Sequence, residues 1–305
     1  MLSVTFLGTS AARPTVERNV PATAIVREGE TLLFECGEGT QRQMMRYGIS
    51  FTLSDVFVTH FHADHFLGIV GLVRTLGLQG RTEPMRLYGP KGGKRVLGAA
   101  LALGVERAPF AVEIEELKPG DRVEGKGYYV QAFETEHGRA SVGYALVEHQ
   151  RLGRFDPDKA RALGIPEGPL WGRIHKGETI RLADGRAIEP AELVGPPRPG
   201  RKVVYSGDTR PCESVVRAAE DADLLIHEAT FGDDEKDRAR ETEHSTATEA
   251  AQVALAARAR KLVLHHLSAR YSADSADLLE QAKVVFPETV VARDGMTIEV
   301  PFRDQ

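Results

Sequence analysis

Cysteine is scarce in this chain. Only Cys36 and Cys212 occur among 305 residues, too few for a disulfide framework and too far apart to read as a zinc-ligand pair. Long apolar runs are missing as well, since no uninterrupted stretch approaches the roughly 18 to 20 residues that cross a bilayer. The first residues, MLSVTFLGTSAARPTVERN, carry neither the basic leader nor the extended apolar segment of a secretory signal. An excess of positive charge is also lacking, and a formal net charge of −5 argues against indiscriminate coating of nucleic acid. Together these absences predict a soluble cytoplasmic protein with no membrane partner. What is present is ordinary globular composition, 42% hydrophobic and 27% charged, in a chain long enough for one large α/β domain or two modest ones.

Alternation and apolar runs predict strands at residues 3–7, 22–27, 31–35, 55–59, 128–135, 142–148, 202–206, 223–227, 261–265 and 297–300. Helical periodicity falls at 40–47, 64–76, 94–103, 213–220, 246–257 and 273–285. An N-terminal run of strands gives way to strands alternating with helices, and the order repeats loosely in the second half. That pattern suits two sheets packed face to face with helices outside, a layered α/β architecture. Residues 150–200 break the pattern. They are rich in Gly and Pro and hold only short apolar runs, so they are expected to pack poorly and to project as an arm. Residues 151–202 carry eleven Lys/Arg against seven Asp/Glu, a net +4 on a remainder of −9. A basic segment on an acidic body hints at an anionic partner.

The strongest chemical signal is His60-Phe61-His62-Ala63-Asp64-His65. It follows the apolar run Val56-Phe57-Val58-Thr59 and precedes an apolar helix, so it occupies a loop leaving a strand. Neutral imidazoles suit a borderline ion such as zinc, and an aspartate adds hard oxygen and negative charge. Three histidines and an aspartate within six residues would repel one another at mild acidity without a structural return, which favours a metal site. Further ligands are expected at other strand ends. His137 follows 128–135, and Asp208 follows 202–206 in Ser-Gly-Asp-Thr, where Gly207 permits a tight turn. His265 and His266 end 261–265, and alternation lets only one of the two face the site.

These motifs resemble the metallo-β-lactamase superfamily, and finer ones resemble its ribonuclease Z (tRNase Z) family. The latter are Phe6-Leu7-Gly8-Thr9, Cys36-Gly37-Glu38-Gly39-Thr40-Gln41, His227-Glu228-Ala229-Thr230, His244-Ser245-Thr246 and His266-Leu267-Ser268-Ala269-Arg270-Tyr271. The resemblance runs along essentially the whole chain, including the Gly168-Pro169 turn of the arm. It implies a four-layer αβ/βα sandwich as a single domain over 1–305, with residues 150–200 an inserted, protruding, flexible arm that serves as a tRNA-binding exosite. It implies two Zn²⁺ per subunit, or Mn²⁺ or another divalent ion, one held by His60, His62 and His137 and the other by Asp64, His65 and His266, with Asp208 bridging.

The activity implied is removal of the 3′ trailer from precursor tRNA through a two-metal activated hydroxide, leaving a tRNA 3′-hydroxyl and a trailer 5′-phosphate, by a homodimeric enzyme. Asp64 is then the general base, and His244, oriented by Glu228, the proton donor to the leaving oxygen. Arg18 and Asn19 are expected to meet the end of the acceptor stem, Ser245 and Thr246 to offer a helix N-terminus to phosphate, and Arg173 and Lys176 to contact the substrate from the arm. Thr246 and Glu249 also have capping-box spacing. Two positions depart from the family pattern: Glu35 stands where aspartate is usual, and Val16 where lysine is usual. Competing readings are a superfamily hydrolase acting on a small ester, which has no use for a basic arm, and an inactive tRNA-binding protein, which would have lost ligands.

Overall fold

The computed structural model describes residues 1–105, 107–182 and 184–303. Its strands are β1 (Leu2–Gly8), β2 (Ala22–Arg27), β3 (Glu30–Phe34), β4 (Leu53–Phe57), β5 (Met85–Gly89), β6 (Val112–Glu116), β7 (Arg122–Gly125) and β8 (Tyr128–Glu134). They continue as β9 (Val142–Glu148), β10 (Ile180–Arg181), β11 (Ala187–Ile188), β12 (Lys202–Tyr205), β13 (Leu224–Glu228), β14 (Leu262–His265), β15 (Thr289–Val291) and β16 (Thr297–Glu299). Two seven-stranded mixed sheets result, ordered β16-β1-β2-β3-β4-β5-β6 and β15-β14-β13-β12-β9-β8-β7. β10 and β11 form a separate hairpin.

Alternation along the central strands explains the layering. Val203 and Tyr205 of β12, Leu224 and Ile226 of β13 and Val263 of β14 meet Leu2, Val4, Phe6, Phe34 and Phe57 of the first sheet in one buried cluster. The intervening Val204, Leu225, Leu262 and Leu264 point the other way, into a second cluster with Ala250, Ala251, Ala254, Leu278 and Ala282 from the helices Ala247–Ala256 and Ala276–Val285. The first sheet is covered likewise by Met44, Ile69, Leu72, Val73, Leu76 and Leu97. Strands apolar on both faces need cover on both faces, so the sequence yields four layers, helix, sheet, sheet, helix. This is the predicted sandwich.

The expected helix over 64–76 is instead two, Ala63–Phe66 and Gly68–Leu78. A Cβ at Gly68 would lie 1.9 Å from the Gly37 carbonyl oxygen, so the chain breaks where it passes against that backbone. β5, β6, β7 and β15 escape the sequence pattern. β6 and β7 are edge strands whose Glu113, Glu115, Glu116, Arg122 and Glu124 blur the apolar period, a common protection of sheet edges.

The chain divides into two compact units, Met1–Val147 with Arg201–Gln305, and Glu148–Gly200. The second corrects the expectation of an irregular stretch that packs poorly. It contains the helices Pro157–Ala162, Pro169–His175 and Pro190–Leu193, the β10–β11 hairpin, and its own core of Ala160, Ile165, Ile174, Ile180, Ile188 and Leu193. Three of its prolines, Pro157, Pro169 and Pro190, each open a helix, where a missing N–H costs nothing. Among the described residues no helix is long and apolar enough to cross a membrane.

Candidate metal centre

Every predicted ligand leaves the end of a strand. His60, His62, Asp64 and His65 follow β4 of the first sheet, while His137, Asp208 and His266 follow β8, β12 and β14 of the second. Gly207 makes the turn before Asp208 with φ 63°, and a Cβ there would lie 2.7 Å from the Thr59 side chain. Only glycine meets both demands.

The structure brings all seven side chains together. His60 Nε2 lies 3.5 Å from Asp208 Oδ2, and His65 Nε2 lies 3.3 Å from Asp208 Oδ2 and 3.4 Å from Asp64 Oδ2. His266 Nε2 is 3.5 Å from Asp64 Oδ2 and 3.4 Å from Asp208 Oδ1, and His137 Nε2 is 3.3 Å from His62 Nδ1. Ligand atoms at about 2.1 Å from a tetrahedral ion sit about 3.4 Å from one another, so these separations are those of a coordination shell. One set joins His60, His62, His137 and Asp208; another joins Asp64, His65 and His266. Asp208 reaches toward both.

Hydrogen bonds turn the imidazoles inward. The Thr59 hydroxyl accepts from His60 Nδ1 at 3.0 Å and donates to Glu35. The Thr230 hydroxyl accepts from His266 Nδ1 at 2.9 Å and donates to Glu228 Oε2 at 2.7 Å. His137 Nδ1 donates to the Glu243 carbonyl at 2.8 Å, and His65 Nδ1 faces Glu35 Oε1 at 3.3 Å. In His60, His137 and His266, with Nδ1 occupied, Nε2 is left to the centre. Buried His65 Nε2, His266 Nε2 and Asp208 Oδ1 have no hydrogen-bond partner, an arrangement that is costly unless a cation satisfies them. The donor set therefore fits divalent metal.

Electrostatics divide the imidazoles: burial opposes the charge of His65, but Asp208 and Glu35 outweigh it and hold it well above the usual histidine range. Burial, together with neighbouring imidazoles, holds His60 and His62 below the usual histidine range, which favours the neutral form a metal ion requires. Burial opposes the charge of Asp64, but hydrogen bonds and charge from His266 and His65 outweigh it and keep the carboxyl well below its usual value. Asp208 is lowered in the same way by His266, His65 and His60 against its burial. Glu35 is raised, by burial above all. The longer stem of Glu35 reaches Thr59 and His65, so the departure from aspartate preserves a carboxyl behind the ligand His65.

His265 and His266 are resolved by a backbone kink. His266 adopts φ 55° and enters the site, whereas His265 Nε2 donates to the Gly8 carbonyl at 2.9 Å. His244 stacks between His137 and His266 at centroid distances of 4.8 and 5.5 Å, and its Nδ1 donates to Glu228 Oε1 at 2.7 Å. Glu228 also receives the Thr209, Thr230 and Ser245 backbone N–H groups. Burial lowers His244, but the Glu228 carboxylate outweighs it and raises the imidazole to about 9.

The expected substrate contacts separate. Arg18 is buried, and its guanidinium donates to Thr9 Oγ1, the Ala292 carbonyl and the Ser272 carbonyl. Ser245 and Thr246 are also buried: Ser245 Oγ donates to the Thr209 carbonyl, and Thr246 forms the expected capping box with Glu249. In this structure their side chains hold the scaffold rather than face a ligand, because the charge and hydroxyls that read as contacts satisfy buried backbone. Asn19 is half-buried, with Nδ2 on the Glu38 carbonyl. Arg173 and Lys176 are exposed in the second unit, Arg173 paired with Glu178 at 2.7 Å.

Sequence reasoning missed four contributors. The Ala12 N–H, held at φ 59°, donates to Asp64 Oδ2 at 2.8 Å. Asp294 receives Thr9 Oγ1, the Asn19 N–H and Gln43 Nε2, anchoring the loop that carries Ala12. Thr230 and Glu243 orient ligands as described. Only Thr230 lay within a motif, and Asp294 had no signal at all. A cleft of about 280 Å³ opens over Asp64, Asp208, His244 and His266, with Arg13 and Arg238 on its walls.

This sandwich, with ligands gathered at the strand ends, defines a hydrolase of the metallo-β-lactamase superfamily. Residues 174–267 match the family model described as beta-lactamase superfamily domain, and residues 2–155 match that of the anti-Pycsar protein Apyc1. The chain is 60% identical over its full length to the ribonuclease Z of Gemmatimonas aurantiaca, covering 98% of that protein. It is 57% identical over its full length to that of Myxococcus xanthus, covering 99%. The structure superposes on the short form of human tRNase Z with a TM-score of 0.72 and 30% identity, covering 98% of this chain and 100% of that one. The chain belongs to the ribonuclease Z family.

Proposed function

We propose that this enzyme is a tRNA 3′-processing endoribonuclease that removes the 3′ trailer from precursor tRNA in the cytoplasm. It leaves a 3′-hydroxyl on the tRNA and a 5′-phosphate on the trailer. The observation that carries this reading is the set of seven converging ligands in a chain that matches full-length ribonuclease Z relatives throughout. His60, His62 and His137 would hold one zinc ion and Asp64, His65 and His266 the other, with Asp208 shared; manganese or another divalent ion suits the same donors. Such ions supply positive charge to the phosphoryl oxygens and make water acidic enough to attack.

The chain's own groups do the rest. Asp64 is fixed by the Ala12 N–H and kept ionised by its histidine neighbours, so it accepts the proton of the attacking water. His244, kept protonated by Glu228, gives a proton to the departing 3′-oxygen. Thr230 ties Glu228 to His266, so donor and ligand share one frame. The inserted unit of residues 150–200 is proposed as the tRNA-binding exosite, with Arg173 and Lys176 meeting phosphates remote from the cleavage point. A homodimer is the proposed assembly.

Cleavage of a 3′-extended precursor tRNA by the intact protein, and by a variant lacking residues 151–199, tests this reading. The intact protein should cut with the stated ends, and the deletion should raise KM by at least about tenfold. Turnover of a bis-aryl phosphate with no cut in the precursor would favour the small-ester reading and overturn this one. Unimpaired precursor cleavage by the deletion would remove the exosite alone.

A further inference from the structure

Glu243 precedes the proposed proton donor and lies in no chemical motif, yet it touches a proposed ligand's loop twice. Its carbonyl accepts from His137 Nδ1 at 2.8 Å, and its Oε2 accepts the Gly138 N–H at 2.6 Å. Arg210 steadies the other carboxylate oxygen at 3.6 Å and itself donates to the Arg240 carbonyl. The backbone at Glu243 is left-handed, φ 60°, a conformation costly for a residue bearing a Cβ. Asparagine or glycine would adopt it more readily, so a glutamate here is held by its side-chain contacts. His244 follows directly and is anchored from the opposite side by Glu228.

We propose that Glu243 is a positioning residue that clamps the His137 loop to the His244 loop, so that one side chain sets both a metal ligand and the proton donor. This rests on the reading of the cleft given above. The carbonyl fixes which ring nitrogen of His137 faces the centre. The carboxylate fixes how far the loop bearing His137 stands from the His244 segment. Without the carboxylate, His137 is loosened but not removed, which predicts weaker ion binding rather than disappearance of the site. Groups that orient ligands in this way typically change metal affinity by about 10 to 100-fold.

The test is competitive zinc titration of the apo-protein against a chromophoric chelator, with the cobalt(II) absorption spectrum as a second readout. Glu243→Ala removes the clamp. Glu243→Asp keeps the charge and tolerates the left-handed backbone but is one methylene too short to reach Gly138. Glu243→Gln keeps an acceptor oxygen at full length. The expected result is about tenfold weaker uptake of one of two ions in the Ala and Asp variants, an altered cobalt spectrum, and recovery of most of both in the Gln variant. Circular dichroism of each apo-protein reports folding, and the Asp variant decides the matter if the Ala variant does not fold. Wild-type affinity and spectrum in a folded Asp or Ala variant overturns the clamp. A wild-type protein that takes up no ion overturns the metal reading instead, so the two failures are distinguishable.

Discussion

The body and the inserted unit achieve order by opposite routes. The body buries strands on both faces between helices, and its buried histidines and carboxylates gather at the cleft, while Asp55, Asp223 and Arg201 are buried elsewhere. The unit of residues 148–200 has a core of only six buried side chains, backed by Phe155, Leu170 and Trp171. It holds nine Lys/Arg against eight Asp/Glu, because Arg201 and Lys202 belong to the body, where Arg201 is buried and donates to the Val300 carbonyl. Ion pairs also tie Arg161 to Asp158 and Glu167, Arg173 to Glu178 and Arg186 to Asp184. The positive excess read from sequence is therefore thinner than the +4 of residues 151–202 suggests. Surface pairs of this kind contribute at most about 1 kcal/mol, so phosphate can displace them. Lys159, Lys176 and Arg181 are exposed and show no side-chain ion pair among the described residues. The lesson is that charge geometry, not net charge, sets what the unit can bind.

The largest expected effect belongs to the body. Asp64→Ala should lower precursor cleavage on the order of 10³-fold while the far-ultraviolet spectrum stays folded; substantial turnover with metal bound would remove Asp64 as the base. His244→Ala should lower kcat by roughly 10²-fold with little change in KM, measured in single-turnover cleavage. A rise in KM alone would make His244 a binding residue.

Smaller effects probe the inserted unit. Lys176→Glu combined with Arg181→Glu should raise KM for precursor tRNA by about tenfold and make its salt dependence shallower, by roughly one in the log–log slope for each phosphate no longer neutralised. An unchanged salt slope would sever the unit from the RNA. Ile174→Ala removes a fully buried side chain from the small core, a change that costs about 2–5 kcal/mol in larger cores. Limited proteolysis should then cut within residues 148–200 far faster while the body stays intact. Equal cleavage of both regions would contradict their independence. Smallest of all, Thr246→Ala should cost about 1 kcal/mol through removal of the cap, read as a small drop in Tm.

Much of this was legible in the sequence because ligand chemistry is local. His60 to His65 lie within six consecutive residues, Gly207 announces the turn that aims Asp208, and the motif pair His227-Glu228-Ala229-Thr230 and His244-Ser245-Thr246 brings His244 and its carboxylate partner into view. Alternation also located ten of the core's strands, though not β5, whose Met85, Leu87 and Tyr88 are buried. What escaped depends on tertiary context. Alternation alone left His265 and His266 open; the resemblance named His266, and the left-handed kink at that residue, φ 55°, is what turns it toward the cluster. Arg18 looks like a ligand-binding charge until its donors are seen on buried carbonyls. Asp294 sits 275 residues from the Asn19 amide it accepts, and Glu243 reaches His137 and Gly138, distant in sequence, through its carbonyl and its carboxylate. The order in 150–200 was hidden because proline at a helix start reads like proline in a loop.

Four of the seven clustered side chains follow a strand of one sheet and three follow strands of the other. An ion seated there would be a rivet as well as a reagent, since its bonds would join the two halves. Folding and metal supply would then be linked, with stability rising by RT ln(1 + [L]/Kd) as free ion exceeds the dissociation constant. Starving the protein of ion should cost it more than catalysis: a larger share of the chains would stand open to proteases, and enzyme abundance would track the metal status of its surroundings.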